Sequence, residues 1–221
     1  MTESTRCTAQ ARAAGGDWHR GMLRSAPVAH RGDRRVAPPW LVIKIGGSLL
    51  SRPRWPALLA TLLQDIRPRP CRIIVGGGAV VDGLRTIDRA EPQPAPLMHS
   101  LAIEAMGLTA RLVASALGLP VASGFDASDE PAVLDVPAWL AGGTVATHLP
   151  AGWQVTSDTI AACAATEHGG CLMLVKSVPP PPCPDAGDPI ATAAAAGWVD
   201  EHFTTAAARL VEVGWAAPVA A

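Results

Sequence analysis

Tyrosine is absent from this chain, phenylalanine occurs twice, and of 18 basic residues only Lys44 and Lys176 are lysines. The accompanying bias towards Ala, Gly, Pro and Arg reads as coding composition and assigns no function. A charge excess is also missing. The formal net charge of −1 offers nothing to attract nucleic acid or an anionic membrane, so neither is expected as a partner. No apolar run approaches the roughly 20 residues needed to span a bilayer, and no stretch has the layout of a secretory leader. Five cysteines, Cys7, Cys71, Cys163, Cys171 and Cys183, form no CxxC pair and no metal-ligand spacing. An odd number without a leader points to reduced thiols and a cytoplasmic setting. There is no GxxxxGK[ST], and "VGGGAVVDG" lacks the GxGxxG spacing, which excludes a P-loop and a dinucleotide fingerprint.

What is present is a length of 221 residues, enough for one domain with a substantial core. Residues 1–39 carry seven arginines against three acids and no sustained periodicity, so they read as a disordered basic tail, with 40–221 as a single domain. From Trp40 the pattern becomes regular. "WLVIKI", "CRIIVGGG" and "CLMLVKSV" are short continuous apolar runs, as expected of strands buried on both faces. "WPALLATLLQDI", "AVVDGLRTIDR", "MHSLAIEAMGLTARLVASALG" and "SDTIAACAATEHGG" have helical spacing. Shorter strands are expected at "LPVASGF", "PAVLDV" and "GTVATHL". The stretch "ATAAAAGWVDEHFTTAAARLVEVG" reads as mostly helical, with a short strand at its end. Strands alternating with helices predict an α/β fold, an open αβα sandwich around a mainly parallel sheet, with ligands beyond the carboxyl ends of the strands.

Both lysines fall at or near such ends. So do Gly46, Gly47 and Ser48 after the first run, and Gly76, Gly77 and Gly78 after the second. Glycines there let backbone approach a ligand, and their N–H groups can hold phosphate oxygens. Taken singly, each loop is equally a tight strand-to-helix turn. A lysine ammonium is a compact point charge, whereas guanidinium is a planar fork. A chain that otherwise prefers arginine would keep lysine where the shape of the charge matters. Asp158 opens a helix between the two lysine strands. It either caps that helix or orients two ammonium groups and organises Mg²⁺-bound phosphate.

"KIGGSLL", "IVGGGAVVDGLRTID", "VTSDTIAA" and "LMLVKSV" resemble, in order and spacing, the amino acid kinase superfamily of carboxylate, uridylate and isopentenyl phosphate kinases. The similarity runs from Trp40 to at least Val178. "MHSLAIEAM", "GWQVTSDTIA" and "GWVDEHF" further resemble the branch that phosphorylates aminomethylfuranyl-methyl phosphate in methanofuran biosynthesis. The resemblance implies transfer of the ATP γ-phosphoryl group to a small acidic acceptor, and a homo-oligomer. It implies that Lys44, Lys176 and Asp158 are catalytic, and that Gly46, Gly47 and Ser48 hold the nucleotide. Gly76, Gly77, Gly78, His99 and Trp153 would hold the acceptor, with Mg²⁺ carried by ATP near Asp158 rather than bound directly. From the residues alone, Trp153 is equally core packing and His99 equally a helix-start residue. The chain departs from the family after Lys176, where "SVPPPPCPDAGDP" replaces the usual "DVDG" segment and the proline run lacks backbone donors. Two rival expectations remain: a carboxylate or nucleoside-monophosphate kinase of the same fold, and a catalytically degenerate nucleotide- or oxyanion-binding protein.

Overall fold

The computed structural model describes residues 18–25, 40–66, 70–125, 130–179 and 188–219. Its strands are β1 (Trp18–Ser25), β2 (Leu41–Ile45), β3 (Cys71–Val75), β4 (Val121–Ala122), β5 (Ala132–Leu134), β6 (Cys171–Val175) and β7 (Glu212–Pro218). They form one seven-stranded sheet in the order β1-β7-β6-β2-β3-β5-β4. Every pairing is parallel except that of β1 with β7. The helices are α1 (Trp55–Ile66), α2 (Gly78–Ala90), α3 (Ala95–Leu117), α4 (Val136–Ala141), α5 (Ser157–Glu167), α6 (Pro189–Ala195) and α7 (Phe203–Ala206). The expected open α/β sandwich is what forms.

The continuous apolar runs are explained by burial on both faces. Alternate residues point to opposite sides of a strand. Leu41, Ile43, Ile45, Ile73 and Val75 pack with Leu59 and Leu62 of α1 and Ala110 and Val113 of α3. Val42, Ile74, Leu172 and Leu174 pack with Ile160, Ala161 and Ala164 of α5. Each large aliphatic side chain buried this way contributes about 1.5–3 kcal/mol. The 23-residue α3 is long and apolar enough to cross a bilayer by length and composition, although its apolar residues are interrupted by Glu104 and Arg111. It buries Met98, Ala105, Met106, Ala110, Val113 and Ala114 and ends where Gly118 turns left-handed at φ 64°.

Three expectations are corrected. The reading of residues 1–39 as a disordered tail fails for Trp18–Ser25, which pairs antiparallel with β7 through a register shift between Met22 and Arg24. Trp18 and Leu23 are buried there. The shift breaks the alternation that would have revealed a strand, and the partner lies near the other end of the chain. The rest of 1–39 lies outside the described residues. The strand expected at "GTVATHL" is instead a 3-10 turn, Val145–His148. Gly143 ahead of it has φ 77°, and the Thr147 hydroxyl donates to the Thr144 carbonyl at 2.6 Å, a local bond that competes with strand pairing. The helical stretch after residue 188 is broken by Gly197 at φ 69°. Its final strand, β7, is not a short appendage but an interior strand between β1 and β6.

Candidate active site

Three parallel strands end at one level. Ile45 is paired with Val75 on one side and Val175 on the other. β2 is where the strand order reverses, with β3 and β6 on opposite flanks, and such switch points open a crevice at the carboxyl ends. The ladder runs one residue further. Gly46 N–H donates to the Val175 carbonyl at 2.7 Å, Gly76 N–H to Ile45 at 2.9 Å, and Lys176 N–H to Ala216 at 2.9 Å.

Lys44 follows Val42 on the face that α5 covers. Ala161, Ala162, Ala164 and Ala165 of α5 are fully buried, and such small side chains let the helix lie low over the strands. The helix is capped by Thr156, whose hydroxyl accepts from Asp158 N–H at 3.3 Å. The Asp158 carboxylate is therefore not the cap. Its Oδ2 accepts from Lys176 Nζ at 2.6 Å, and its Oδ1 lies 2.9 Å from Lys44 Nζ. That second contact is a close ion pair. Lys176 Nζ also donates to the Trp198 carbonyl at 2.8 Å. Lys44 and Asp158 are 4% and 5% exposed, so this is a buried cluster of two cations on one anion. Burial alone would push the Asp158 carboxyl up, but the Lys44 and Lys176 ammonium groups outweigh it and hold it below the ordinary carboxylate range. Burial, with Lys44 beside it, draws Lys176 down to about 8, against the pull of Asp158 and Asp200.

The two glycine loops touch. A Cβ on Gly47 would lie 2.1 Å from Gly78 N, and one on Gly78 would lie 2.6 Å from the Gly47 carbonyl oxygen. Gly78 also has φ 53°. A Cβ on Gly77 would fall 2.2 Å from Val81 Cγ2, and one on Gly76 2.9 Å from Ser157 Oγ. The residues assigned separately to nucleotide and acceptor thus form one cradle. In the 3-10 turn Gly47–Ser51 and in α2 the first local bonds are those of Leu49 N–H to Gly46 and Val80 N–H to Gly77, so the N–H groups of Gly47, Ser48, Gly78 and Ala79 precede the helical ladder and carry partial positive charge, an arrangement suited to anions. The Ser48 and Ser177 hydroxyls, 3.1 Å apart, tie the cradle to the residue after Lys176. Gly46 stands apart. Its Cβ would meet the Val175 carbonyl at 3.2 Å, so it seats β2 on β6, and it does not line the cleft.

The cleft beside the cradle has a cavity volume of about 240 Å³ and is lined by Gly47, Ser48, Gly76, Gly77, Gly78, His99, Trp153, Arg85, Ile103 and Met106, among others. Trp153 is fixed there. Its ring N–H donates to Asp88 at 2.7 Å, and the Arg85 guanidinium lies 5.0 Å from its ring centroid. The N–H of Gln93, and then that of Trp153, hold Asp88 below the usual carboxylate range. His99 Nδ1 is 3.3 Å from the Gly152 carbonyl oxygen. The proline stretch 180–187 lies outside the described residues.

Two residues were missed as site members. Arg85 carries no motif beyond its helix. Asp200 sits in "GWVDEHF" and accepts hydrogen bonds from Thr156 and Thr159 at the start of α5. The sequence signals were the "GWVDEHF" segment itself and the hydroxyl donors of "VTSDT", without a role for Asp200.

Among the described residues, no group of three His, Cys, Asp or Glu could hold a metal. Asp158, the one buried carboxylate among the described residues, is already held between two ammonium groups. This donor set fits Mg²⁺ carried on nucleotide phosphates and does not fit a protein-built cage.

The amino acid kinase family model matches residues 39–180, and the chain belongs to that family. No curated protein matches it in sequence. Its structure is similar to a uridylate kinase from Archaeoglobus fulgidus, with TM-score 0.54 and 15% identity over 81% of this chain and 90% of that one. It is also similar to a UMP kinase from Ureaplasma parvum, with TM-score 0.47 and 16% identity over 63% of this chain and 70% of that one. The first similarity establishes a shared fold.

Proposed function

We propose that this member of the amino acid kinase family is a small-molecule kinase that moves the γ-phosphoryl group of ATP onto an anionic acceptor. The carrying observation is the pair of lysine ammonium groups held on one buried carboxylate beside a glycine cradle. The two cations share one buried carboxylate, and Asp200 is a second carboxylate acting on Lys176. Phosphoryl transfer spreads negative charge over equatorial oxygens, so positioned cations and N–H donors are the chief means of catalysis. Lys44 and Lys176 would neutralise that charge, Asp158 would fix their spacing, and the Gly47 and Gly78 loops would seat phosphate oxygens. The acceptor oxygen bonds to the γ-phosphorus, the bridging bond to ADP breaks, and an acceptor that is already an anion needs no general base. Mg²⁺ would arrive on the nucleotide and supply further charge neutralisation there.

The finer reading is an acceptor that is a furan-methyl phosphate, giving a diphosphate. Its supports are the "MHSLAIEAM", "GWQVTSDTIA" and "GWVDEHF" segments and a cleft walled by Trp153, whose flat face suits an aromatic ring. The test is ³¹P NMR of the full chain with Mg-ATP and a panel of furan-methyl phosphate, nucleoside monophosphates and amino-acid carboxylates. A new diphosphate signal with the furan compound alone is the expected result. Turnover confined to a nucleotide or a carboxylate would move the protein to that acceptor class. ATP binding without turnover on any member would make it a binding protein, and no ATP binding would end the kinase reading.

A further inference from the structure

The segment after Gly197 reaches the site twice. Trp198 gives its carbonyl to Lys176 Nζ at 2.8 Å, and two residues later Asp200 takes the start of α5. Asp200 Oδ2 accepts from Thr156 N–H at 3.1 Å, the Thr156 hydroxyl at 2.7 Å and Thr159 N–H at 3.2 Å. Oδ1 accepts from the Thr159 hydroxyl at 2.5 Å and from His202 N–H at 3.1 Å. Five donors on one carboxylate exceed what a helix cap needs, and α5 already has a cap in Thr156. The clamped residues, Thr156 and Thr159, flank Asp158 on both sides.

We infer that Asp200 is the positioning residue of this site, a clamp that sets where Asp158 stands between Lys44 and Lys176. The inference rests on the reading of those lysines as the charge-bearing groups of the transfer. Its logic is geometric. The first turn of α5 is tied to the strands by the Asp158 ion pairs and the buried Ile160, over a run of alanines that fixes its height. Asp200 adds a further anchor from a different part of the chain, and the same segment holds Lys176 through Trp198. Around Lys176 stand Lys44 from β2, Asp158 from α5, Asp200 itself and the Trp215 ring of β7 at 5.8 Å. Of these, the two carboxylates favour its charged form and Lys44 opposes it.

The chain's own composition supplies the test. With only two lysines, full-length protein grown with ¹³C,¹⁵N-lysine gives two side-chain signals, free of overlap and needing neither nucleotide nor acceptor. Failure of the clamp is thereby distinguishable from failure of the kinase reading. Two variants are compared with wild type. Asp200→Asn removes the charge and puts an amide donor against donors. Thr159→Val removes one hydroxyl strut and leaves the carboxylate in place. The expected result in both is movement of both lysine signals, because Asp158 drifts from each. The Lys176 titration midpoint should fall below its wild-type value by about half a pH unit or more in Asp200→Asn. Should Asp200→Asn fail to fold, Thr159→Val carries the decision alone. Unchanged lysine signals and an unchanged Lys176 midpoint, with only a lower melting temperature, would reduce Asp200 to a structural cap and overturn the inference.

Discussion

Gly47→Ala adds a single methyl group where two backbones meet. The new carbon would lie 2.1 Å from Gly78 N, 2.4 Å from Gly78 Cα and 2.6 Å from the Gly76 carbonyl oxygen. Ordinary contact needs about 3.4 Å or more, so the two loops must part by roughly 1.3 Å. No flexible side chain can yield, because every close atom is main chain. Overpacking of this kind typically costs about 1–3 kcal/mol, and the rigid neighbours place this case at the upper end. For a chain of this length that is a fall in Tm of about 6–10 °C. The functional loss should be larger than the structural one, since the N–H groups of the cradle move with the loops. Misplacement by about 1 Å costs on the order of 10²-fold in rate. The control is Gly83→Ala, in the same neighbourhood but on the exposed face of α2, where a Cβ meets nothing within 4 Å. Alanine there should stabilise by about 0.5–1 kcal/mol. Thermal melts and ATP calorimetry on both variants decide the matter. A Gly47→Ala protein that melts within about 2 °C of wild type, with ATP affinity unchanged, would refute the cradle as described.

A chain beginning at Pro38 would lack β1 and expose the edge of β7. Losing the burial of Trp18 and Leu23, each about 1.5–3 kcal/mol, should lower Tm by about 6 °C or more, and an unchanged melt would restore the tail reading of residues 1–39. Lys44→Arg and Lys176→Arg should each lower kcat by about 10²-fold or more, and each should also lower Tm because both ammonium groups are held on the buried Asp158. Near-wild-type steady-state kinetics in both variants would make the lysines an accident of composition. Lys176 is drawn down to about 8, so kcat/KM should fall as pH rises through about 8 while the ammonium discharges. Stability should move the other way over the same range. The unfolded chain keeps the proton up to the ordinary lysine value of about 10.4, so the charged, buried Lys176 destabilises below pH 8 and that penalty is relieved between about 8 and 10.4. Denaturant melts at pH 7 and pH 9.5 check the sign.

The parts of the fold that repeat locally were legible. β2, β3 and β6 announce themselves as apolar runs because both faces are covered, and each ends in the glycines or lysine that chemistry at a strand end calls for. Asp158 was placed correctly on α5, and the structure adds that the cap is Thr156, which leaves the Asp158 carboxylate to the two lysines. What could not be read depends on partners far along the chain. β1 is a strand only because β7 lies beside it, and its bulge hides the period of two. Asp200 lies in the "GWVDEHF" segment, but its partners were hidden, since its five donors come from residues more than 40 positions earlier and from its own turn. Arg85 looks like a solvent-facing helix residue until Trp153, from another loop, arrives under it. The contact between Gly47 and Gly78 is equally silent, because neither loop records that the other excludes a methyl group from it.

The two lysines can now be explained by what a single carboxylate is able to hold. Asp158 offers two oxygens, and each takes one ammonium, Lys44 on Oδ1 and Lys176 on Oδ2. A guanidinium tends to engage both oxygens of a carboxylate at once with parallel donors. An arginine at either position would therefore compete for both oxygens of Asp158 and break the other lysine's ion pair, and breaking a buried pair costs about 3–5 kcal/mol. Point charges permit the three-body cluster; forks do not. Asp200 is the next carboxylate to act on Lys176, so the two cations draw on more than Asp158 alone. The glycine cradle begins just beyond Lys44, at the carboxyl end of β2. The lysines, Asp158 and the missing side chains at Gly47 and Gly78 thus stand together at the carboxyl ends of the central strands, and that arrangement is what the proposed phosphoryl transfer rests on.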